Sequence, residues 1–227
     1  MVVQAADLPN IYSQGNSIKN SFDQRTTSKQ LTVTPALFRG KPGIKFDASD
    51  DLLRSVLGAY LSGSSGMIIA QLSLAALGNY RTLLDSEDDA TSNYWLLVRP
   101  YRNAVVPDME VAYRNVAAEN IVLGHVTTVA NKCYTMVWES TGSAYGLRGN
   151  SVSQNLTAPT GTNTGEWFGD TPNRDNTAIG ARKGVSEGDF LGASLALLLI
   201  YEGDPGMGTS MKQLERTIMR RGLRGLR

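Results

Sequence analysis

The chain has one cysteine, Cys133, and one histidine, His125, among 227 residues. A lone thiol excludes an internal disulfide, and one thiol with one imidazole excludes an ordinary zinc site. No apolar run reaches the ~18 residues that a membrane helix needs. Leu191 to Tyr201 comes nearest and has the length of a buried strand. Net charge is only +1, so the whole molecule has little long-range pull on nucleic acid or a charged surface. The start, Met1-Val2-Val3-Gln4-Ala5-Ala6-Asp7, lacks the basic region and apolar core of a secretory signal. These absences predict a soluble protein made in a cytoplasm, with no membrane partner.

Catalytic patterns are also missing. Gly203-Asp204-Pro205-Gly206-Met207-Gly208 has no phosphate-loop lysine and reads as a strand-to-helix turn. Glycoside hydrolysis needs two carboxylates ~5–9.5 Å apart, which on a strand means acids at i, i+2 or i+4. Glu110, Glu119, Glu139, Glu166 and Glu187 are isolated, while Asp47, Asp50, Asp51, Glu87, Asp88 and Asp89 fall in expected turns. The reading is therefore non-enzymatic. His125, between Gly124 and Val126, is expected to be a strand histidine hydrogen-bonded to a neighbour. Cys133, among β-favouring residues, is expected to be a buried, inert thiol.

The sequence is rich in short alternating segments. Gln30 to Thr34, Ile44 to Phe46, Tyr80 to Leu84 and Tyr94 to Arg99 read as strands. The segment Asp85-Ser86-Glu87-Asp88-Asp89 reads as the acidic turn between the last two. Met67 to Ala76 is locally ambiguous, because Ala and Leu favour helix. Alternation of Ile68, Ala70, Leu72 and Leu74 supports a strand buried on one side. Ile121 to Ala130 and Cys133 to Glu139 are predicted to form a hairpin through Asn131-Lys132. Leu195 to Ile200 suits a central strand covered on both faces. Residues 151–175 are rich in breakers, and a loop of that length tends to be functional. The end reads as one helix. Ser210 and Gln213 form a capping box, Met211, Leu214 and Ile218 share a face, and Gly222 follows as a stop.

Two separated motifs carry a resemblance. The first is Lys41-Pro42-Gly43-Ile44-Lys45-Phe46-Asp47-Ala48-Ser49-Asp50-Asp51-Leu52-Leu53. The second is Ile179-Gly180-Ala181-Arg182, followed by Phe190-Leu191-Gly192 and a strand to Tyr201. Their order resembles the concanavalin A-like, laminin-G-like domain, in which a Phe-Asp-Gly segment opens the sandwich and an Ile-Gly segment closes it. The resemblance implies an all-β fold, a two-sheet antiparallel jelly-roll sandwich with one short C-terminal helix. It divides the chain into an N-terminal arm (1–20), the sandwich (21–209) and a helix with a basic tail (210–227). The fold hosts lectins, enzymes and structural modules alike, so function must be argued from a site.

Three sites are candidates. In the long loop, Trp167 and Phe168 stand beside Asn163, Glu166, Asp170, Asn173 and Arg174. An aromatic plate with planar polar groups is the chemistry that grips a sugar; the alternative is that both rings plug the loop onto the sandwich. The tail from Lys212 carries Arg216, Arg220, Arg221, Arg224 and Arg227 against Glu215 alone, a net +5 that leaves −4 on the rest. It reads as a dipole-compensated helix end or a dock for an acidic protein. Without interleaved aromatics it does not favour nucleic acid. Relatives of the fold hold calcium through loop carboxylates, and Asp47, Asp50 and Asp51 could do so. Turn backbone N–H groups are the favoured partners of Asp47 and Asp50, so neither metal nor cofactor is expected.

These features predict a virion protein of a bacteriophage, decorating head or tail through contacts with capsid or tail proteins and free to self-associate through unguarded sheet edges. The alternative is a lectin-like module that binds surface glycans.

Overall fold

A computed structural model describes residues 2–4, 32–38, 41–55, 61–75, 77, 80–102, 108–116, 118–126, 128–203, 213, 216 and 217. In chain order the strands are β1 (Val2–Gln4), β2 (Thr32–Phe38), β3 (Lys41–Lys45), β4 (Leu53–Ser55) and β5 (Gly66–Leu74). Then come β6 (Leu84–Glu87), β7 (Tyr94–Arg99), β8 (Met109–Asn115), β9 (Ala118–Gly124) and β10 (Cys133–Ser140). The last are β11 (Tyr145–Gly149), β12 (Val152–Ser153), β13 (Leu156–Thr160), β14 (Asn176–Ile179) and β15 (Ala193–Glu202).

They form two antiparallel sheets. One runs β12-β11-β10-β5-β15-β3-β2, with β1 also paired to β15, and the other runs β13-β9-β8-β7-β6-β14-β4. The fold is the two-sheet sandwich expected. Its main core lies between the sheets, where Ile68, Ala70, Leu72 and Leu74 of β5 meet Leu96 and Val98 of β7, Val111 of β8 and Val122 of β9. Complete burial stabilises each large aliphatic side chain by roughly 1.5–3 kcal/mol. The alternation fixes the register, since a one-residue slip would turn this set toward solvent.

β5 is therefore a strand, against its local helix propensity. Its other face buries Met67 and Ile69 with Val137 and Leu199, so β5 and β15 are covered on both sides. β15 is central, as its apolar run requires, and shifts register between Leu195 and Leu197. Val2–Gln4, expected within an irregular arm, pairs with Leu197 to Leu199. Gln213, Arg216 and Thr217 are helical and exposed. The rest of the expected terminal helix lies outside the described residues.

Tyr80 to Leu84 is not a strand, only Leu84 entering β6, and residues 151–175 are not one loop, since β12 and β13 lie within them. Two further local expectations fail. Ile121 to Ala130 and Cys133 to Glu139 do not pair. β9 belongs to the seven-stranded sheet beside β8 and β13, and β10 pairs with β5 and β11. Asn131 does adopt a left-handed turn, φ 61°, but on a segment that crosses between the sheets. The true hairpin joins β8 to β9, with Val116 at φ 49° in its turn. The second failure is the acidic turn. Leu84–Glu87 is strand β6, and Asp85, Ser86 and Glu87 are fully buried.

The two motifs that suggested the fold meet in space. Gly180 has φ +93°, and any Cβ there would strike the Phe46 ring. Nearby, a Cβ on Gly192 would lie 2.9 Å from that of Ala48, and Phe46 N donates to Ala193 O at 2.8 Å.

Candidate functional site

The aromatic pair of the long loop offers no platform. Trp167 and Phe168 are fully buried in the inter-sheet core and meet edge-to-face, with centroids 5.1 Å apart. Of the two readings of this pair, the structure shows the plug, and Trp167 and Phe168 present no sugar plate. Glycine lets the chain pass tightly here: a Cβ on Gly169 would collide with the Ser62 carbonyl.

The neighbouring polar groups pin the loop. The Glu166 carboxylate accepts from Asn120 Nδ2 at 2.9 Å and from the Thr164 hydroxyl. Asp170 Oδ2 accepts from Trp167 N at 2.7 Å, and its carbonyl from the Tyr113 hydroxyl at 2.8 Å. Asn163 Oδ1 accepts from Tyr145 N at 2.6 Å. Asn173 is an exposed turn residue at φ 53°. Arg174 is half-buried; burial pushes its guanidinium down, opposed by the charge of Glu202.

Of the basic tail, Arg216 is exposed on helical backbone. Lys212, Arg220, Arg221, Arg224 and Arg227 lie outside the described residues. Ligand atoms of Asp47, Asp50 and Asp51 lie within 4.8 Å of one another. Asp47 Oδ1 accepts from Ser49 N at 2.8 Å and Asp50 N at 3.2 Å, and Asp51 Oδ2 from Asp47 N at 2.8 Å. Asp47 and Asp51 thus cap the turn, where the sequence predicts Asp47 and Asp50. His125 lies just past β9, exposed, with Nδ1 2.6 Å from Asp108 Oδ1.

A built site lies elsewhere, on the outer face of the seven-stranded sheet. Trp95, Leu97 and Ala112 form a third apolar cluster there, with Ile121 against it. Register places Glu87 opposite Trp95, Asp85 opposite Leu97, and Arg99 opposite Glu110 on the same face. The tongue after β14 folds over this face and closes by paired backbone hydrogen bonds between Arg182 and Gly188, 2.9 and 3.0 Å. It passes so near the Glu87 carboxylate that a Cβ at Gly184 would collide with it.

Arg182 organises the tongue. It grips Glu87 in a two-pronged fork, Nε to Oε2 at 3.1 Å and Nη2 to Oε1 at 3.0 Å. It also stacks over the Trp95 ring, 5.4 Å from the centroid. Burial works against its charge, but the hydrogen bonds and charge of Glu87 outweigh this and raise its pKa. Asp85 accepts from Lys183 N at 2.6 Å, while its other oxygen is buried without a hydrogen bond. Burial, reinforced by the negative charge of Glu87, pushes the Asp85 carboxyl well up. So β6 does carry acids at i and i+2, contrary to the sequence reading, but both are sealed beneath the tongue.

Beside Arg182 lies a depression of about 250 Å³. Leu97, Ala112 and Ile121 supply an apolar floor, and Tyr80 and Trp95 the aromatic wall. Its rim holds Arg99, Arg102 and Arg182 with Glu110, Glu119 and Asp189. Arg99 pairs with Glu110 and with Asp189 at 2.7 Å and stacks on Tyr80, 4.8 Å from its centroid. Arg102 lies 3.0 Å from the other oxygen of Glu110. A second depression of about 250 Å³ on the far side shares Arg182 and Asp189. Sequence reading placed Trp95 in the core and passed over the rest. The one available signal was the run of acids at 85–89, with four carboxylates and only Arg81 close by in sequence.

No family model and no curated protein matches the chain. Solved structures do. The Ruminococcus gnavus IT-sialidase CBM40 aligns with TM-score 0.58 at 12% identity, over 74% of this chain and 93% of that one; the same module is also seen bound to alpha2,3 sialyllactose. Domain 4 of AbnA, a GH43 extracellular arabinanase from Geobacillus stearothermophilus in complex with arabinotriose, aligns with TM-score 0.55 at 13% identity, over 83% and 80%. The NanB sialidase of Streptococcus pneumoniae aligns with TM-score 0.59 at 13% identity, over 73% of this chain and 26% of the sialidase. At such identities the likeness is one of fold: the chain is a β-sandwich of the kind found as carbohydrate-binding modules and as parts of glycan-processing enzymes.

Proposed function

We propose that this protein is a non-catalytic glycan-binding module whose seat is the depression beside Arg182. One observation carries the reading: an apolar floor in a space of about 250 Å³, walled by Tyr80 and Trp95 and rimmed by planar charged groups. A sugar ring presents an apolar C–H face to such a floor and its hydroxyls to guanidinium donors and carboxylate acceptors. The space falls just below the ~300–1,000 Å³ of drug-sized pockets, which suits one ring with the remaining glycan extending outward. The sandwich neighbours support the reading, since two of them are held with oligosaccharides.

A glycan array on the full chain tests it. Tyr80→Ala and Glu119→Ala should each weaken binding about fivefold or more, the effect of losing ~1 kcal/mol. Trp167→Ala, a core change, should lower the melting temperature and leave the affinity of folded protein unaltered. Failure to bind any glycan at millimolar concentration overturns the proposal.

The virion setting expected from the sequence is a separate proposal, to which the comparisons lend no support. It is compatible with this one, because a particle-bound protein can also hold surface sugars. Mass spectrometry of purified particles tests it, and absence of the chain from them ends it.

A further inference from the structure

Each guanidinium on the rim of the seat already faces a carboxylate of the same chain. Arg182 holds Glu87 through two bonds, Arg99 holds Glu110 and Asp189, and Arg102 faces Glu110. Glu87 and Glu110 are each 1% exposed at the side chain. The Glu119 side chain, half-buried on β9 opposite Arg114 of β8 and lining the seat, makes no hydrogen bond or ion pair to another described residue. The seat itself is lined by three carboxylates (Glu110, Glu119 and Asp189) and three guanidiniums (Arg99, Arg102 and Arg182), with Glu87 buried behind Arg182.

We infer that this seat selects uncharged sugars and rejects carboxylated ones. The inference rests on the glycan-binding reading and adds the chemical class of the ligand. A sugar carboxylate needs a cation it can take for itself. Here the charge of each guanidinium is already met by Glu87, Glu110 or Asp189, so the N–H groups left over offer a carboxylate hydrogen bonds but no unmatched cation. A carboxylated sugar would also bring a fourth carboxylate into the space that Glu110, Glu119 and Asp189 line. A neutral ring meets neither obstacle. Its hydroxyls donate to Glu119 and to Asp189, whose side chain is 30% exposed. They accept from the guanidinium N–H groups that the internal pairs leave over, since each guanidinium has five donors and Arg182 spends two on Glu87. The Arg182 and Arg102 side chains are 29% and 20% exposed, enough to present those donors outward.

The test is an array on which each neutral oligosaccharide stands beside its sialylated or uronic counterpart, probed with the full chain, followed by calorimetry on the strongest pair. The neutral member should bind at least tenfold more tightly, and Glu119→Gln should narrow that ratio severalfold by removing one repelling charge. Equal or tighter binding of the carboxylated member overturns the inference and leaves the glycan-binding reading standing. A preference unchanged in Glu119→Gln overturns the electrostatic account of it. No binding by either member of any pair overturns both the inference and the reading beneath it.

Discussion

Phe46 rests its ring against the bare α-carbon of Gly180, 134 positions further along the chain. The two residues come from the separate motifs that pointed to this fold, and they pack as one joint. Phe46 is 1% exposed, so its ring has nowhere to retreat.

Gly180→Ala should accordingly be among the most damaging single-methyl changes in the protein. It adds left-handed backbone strain, roughly 1–3 kcal/mol, to an overpacking cost of about 1–3 kcal/mol. Urea unfolding should show a loss of about 3 kcal/mol or more. A loss under 1 kcal/mol would show that Phe46 can move aside.

Ala48 follows Phe46 and Asp47 in their turn and adopts φ 71°. A left-handed non-glycine residue costs about 1–2 kcal/mol. Glycine would recover this, less the ~0.5–1 kcal/mol of extra chain entropy that it loses on folding. Ala48→Gly should raise stability by about 0.5–1 kcal/mol, or about 1–4 °C in melting temperature for a chain of this size. A fall instead would mean that the Ala48 methyl's packing against Gly192 outweighs the strain.

The buried carboxyl of Asp85 gives stability a pH dependence of definite sign. Its folded pKa lies well above 3.8, through burial and then the charge of Glu87. Below 3.8 both the folded and unfolded states hold the proton, and the group is neutral in each. As pH rises past 3.8 the unfolded chain releases its proton first, and stability is lost until the folded pKa is passed. Asp85→Asn removes this loss, and its amide oxygen can still accept from Lys183 N. The variant should match the parent near pH 3.5 and exceed it by a margin that grows toward pH 7. A margin independent of pH would refute the assignment.

The Cys133 thiol is pushed up to about 11 by burial. Thiolate is the reactive form, so alkylation by iodoacetamide at pH 8 should run at least tenfold slower in the native protein than in urea. Equal rates would contradict that shielding.

The sheets were legible where both faces of a strand announce themselves. β5, β7, β10 and β15 carry alternating or continuous apolar runs, and the structure pairs them along those runs. Connections were harder to read. Asn131 looked like a hairpin turn because asparagine tolerates left-handed backbone, yet that turn serves a crossing between sheets. Val116 makes the real hairpin turn, and a β-branched residue signals nothing of the kind. The site stayed hidden for a physical reason. Asp85 and Glu87 resembled a solvated turn because their neutralising partner, Arg182, lies 95 residues from Glu87. No local window contains both halves of that pair. Trp167 attracted notice through its polar neighbours, but those neighbours are spent holding the loop.

The pairing order of the sandwich also bears on how it assembles. β5 has its inner partners in β10 and β15, and β6 must wait for β14 near the end of the sequence. Such long-range closure makes for slow folding. Until β15 arrives, one edge of a strand made of Met, Ile, Ala and Leu stands bare, inviting another chain of the same kind. Rapid dilution at high protein concentration should therefore favour clumping over recovery, and a helper that shields nascent strands should reverse the balance.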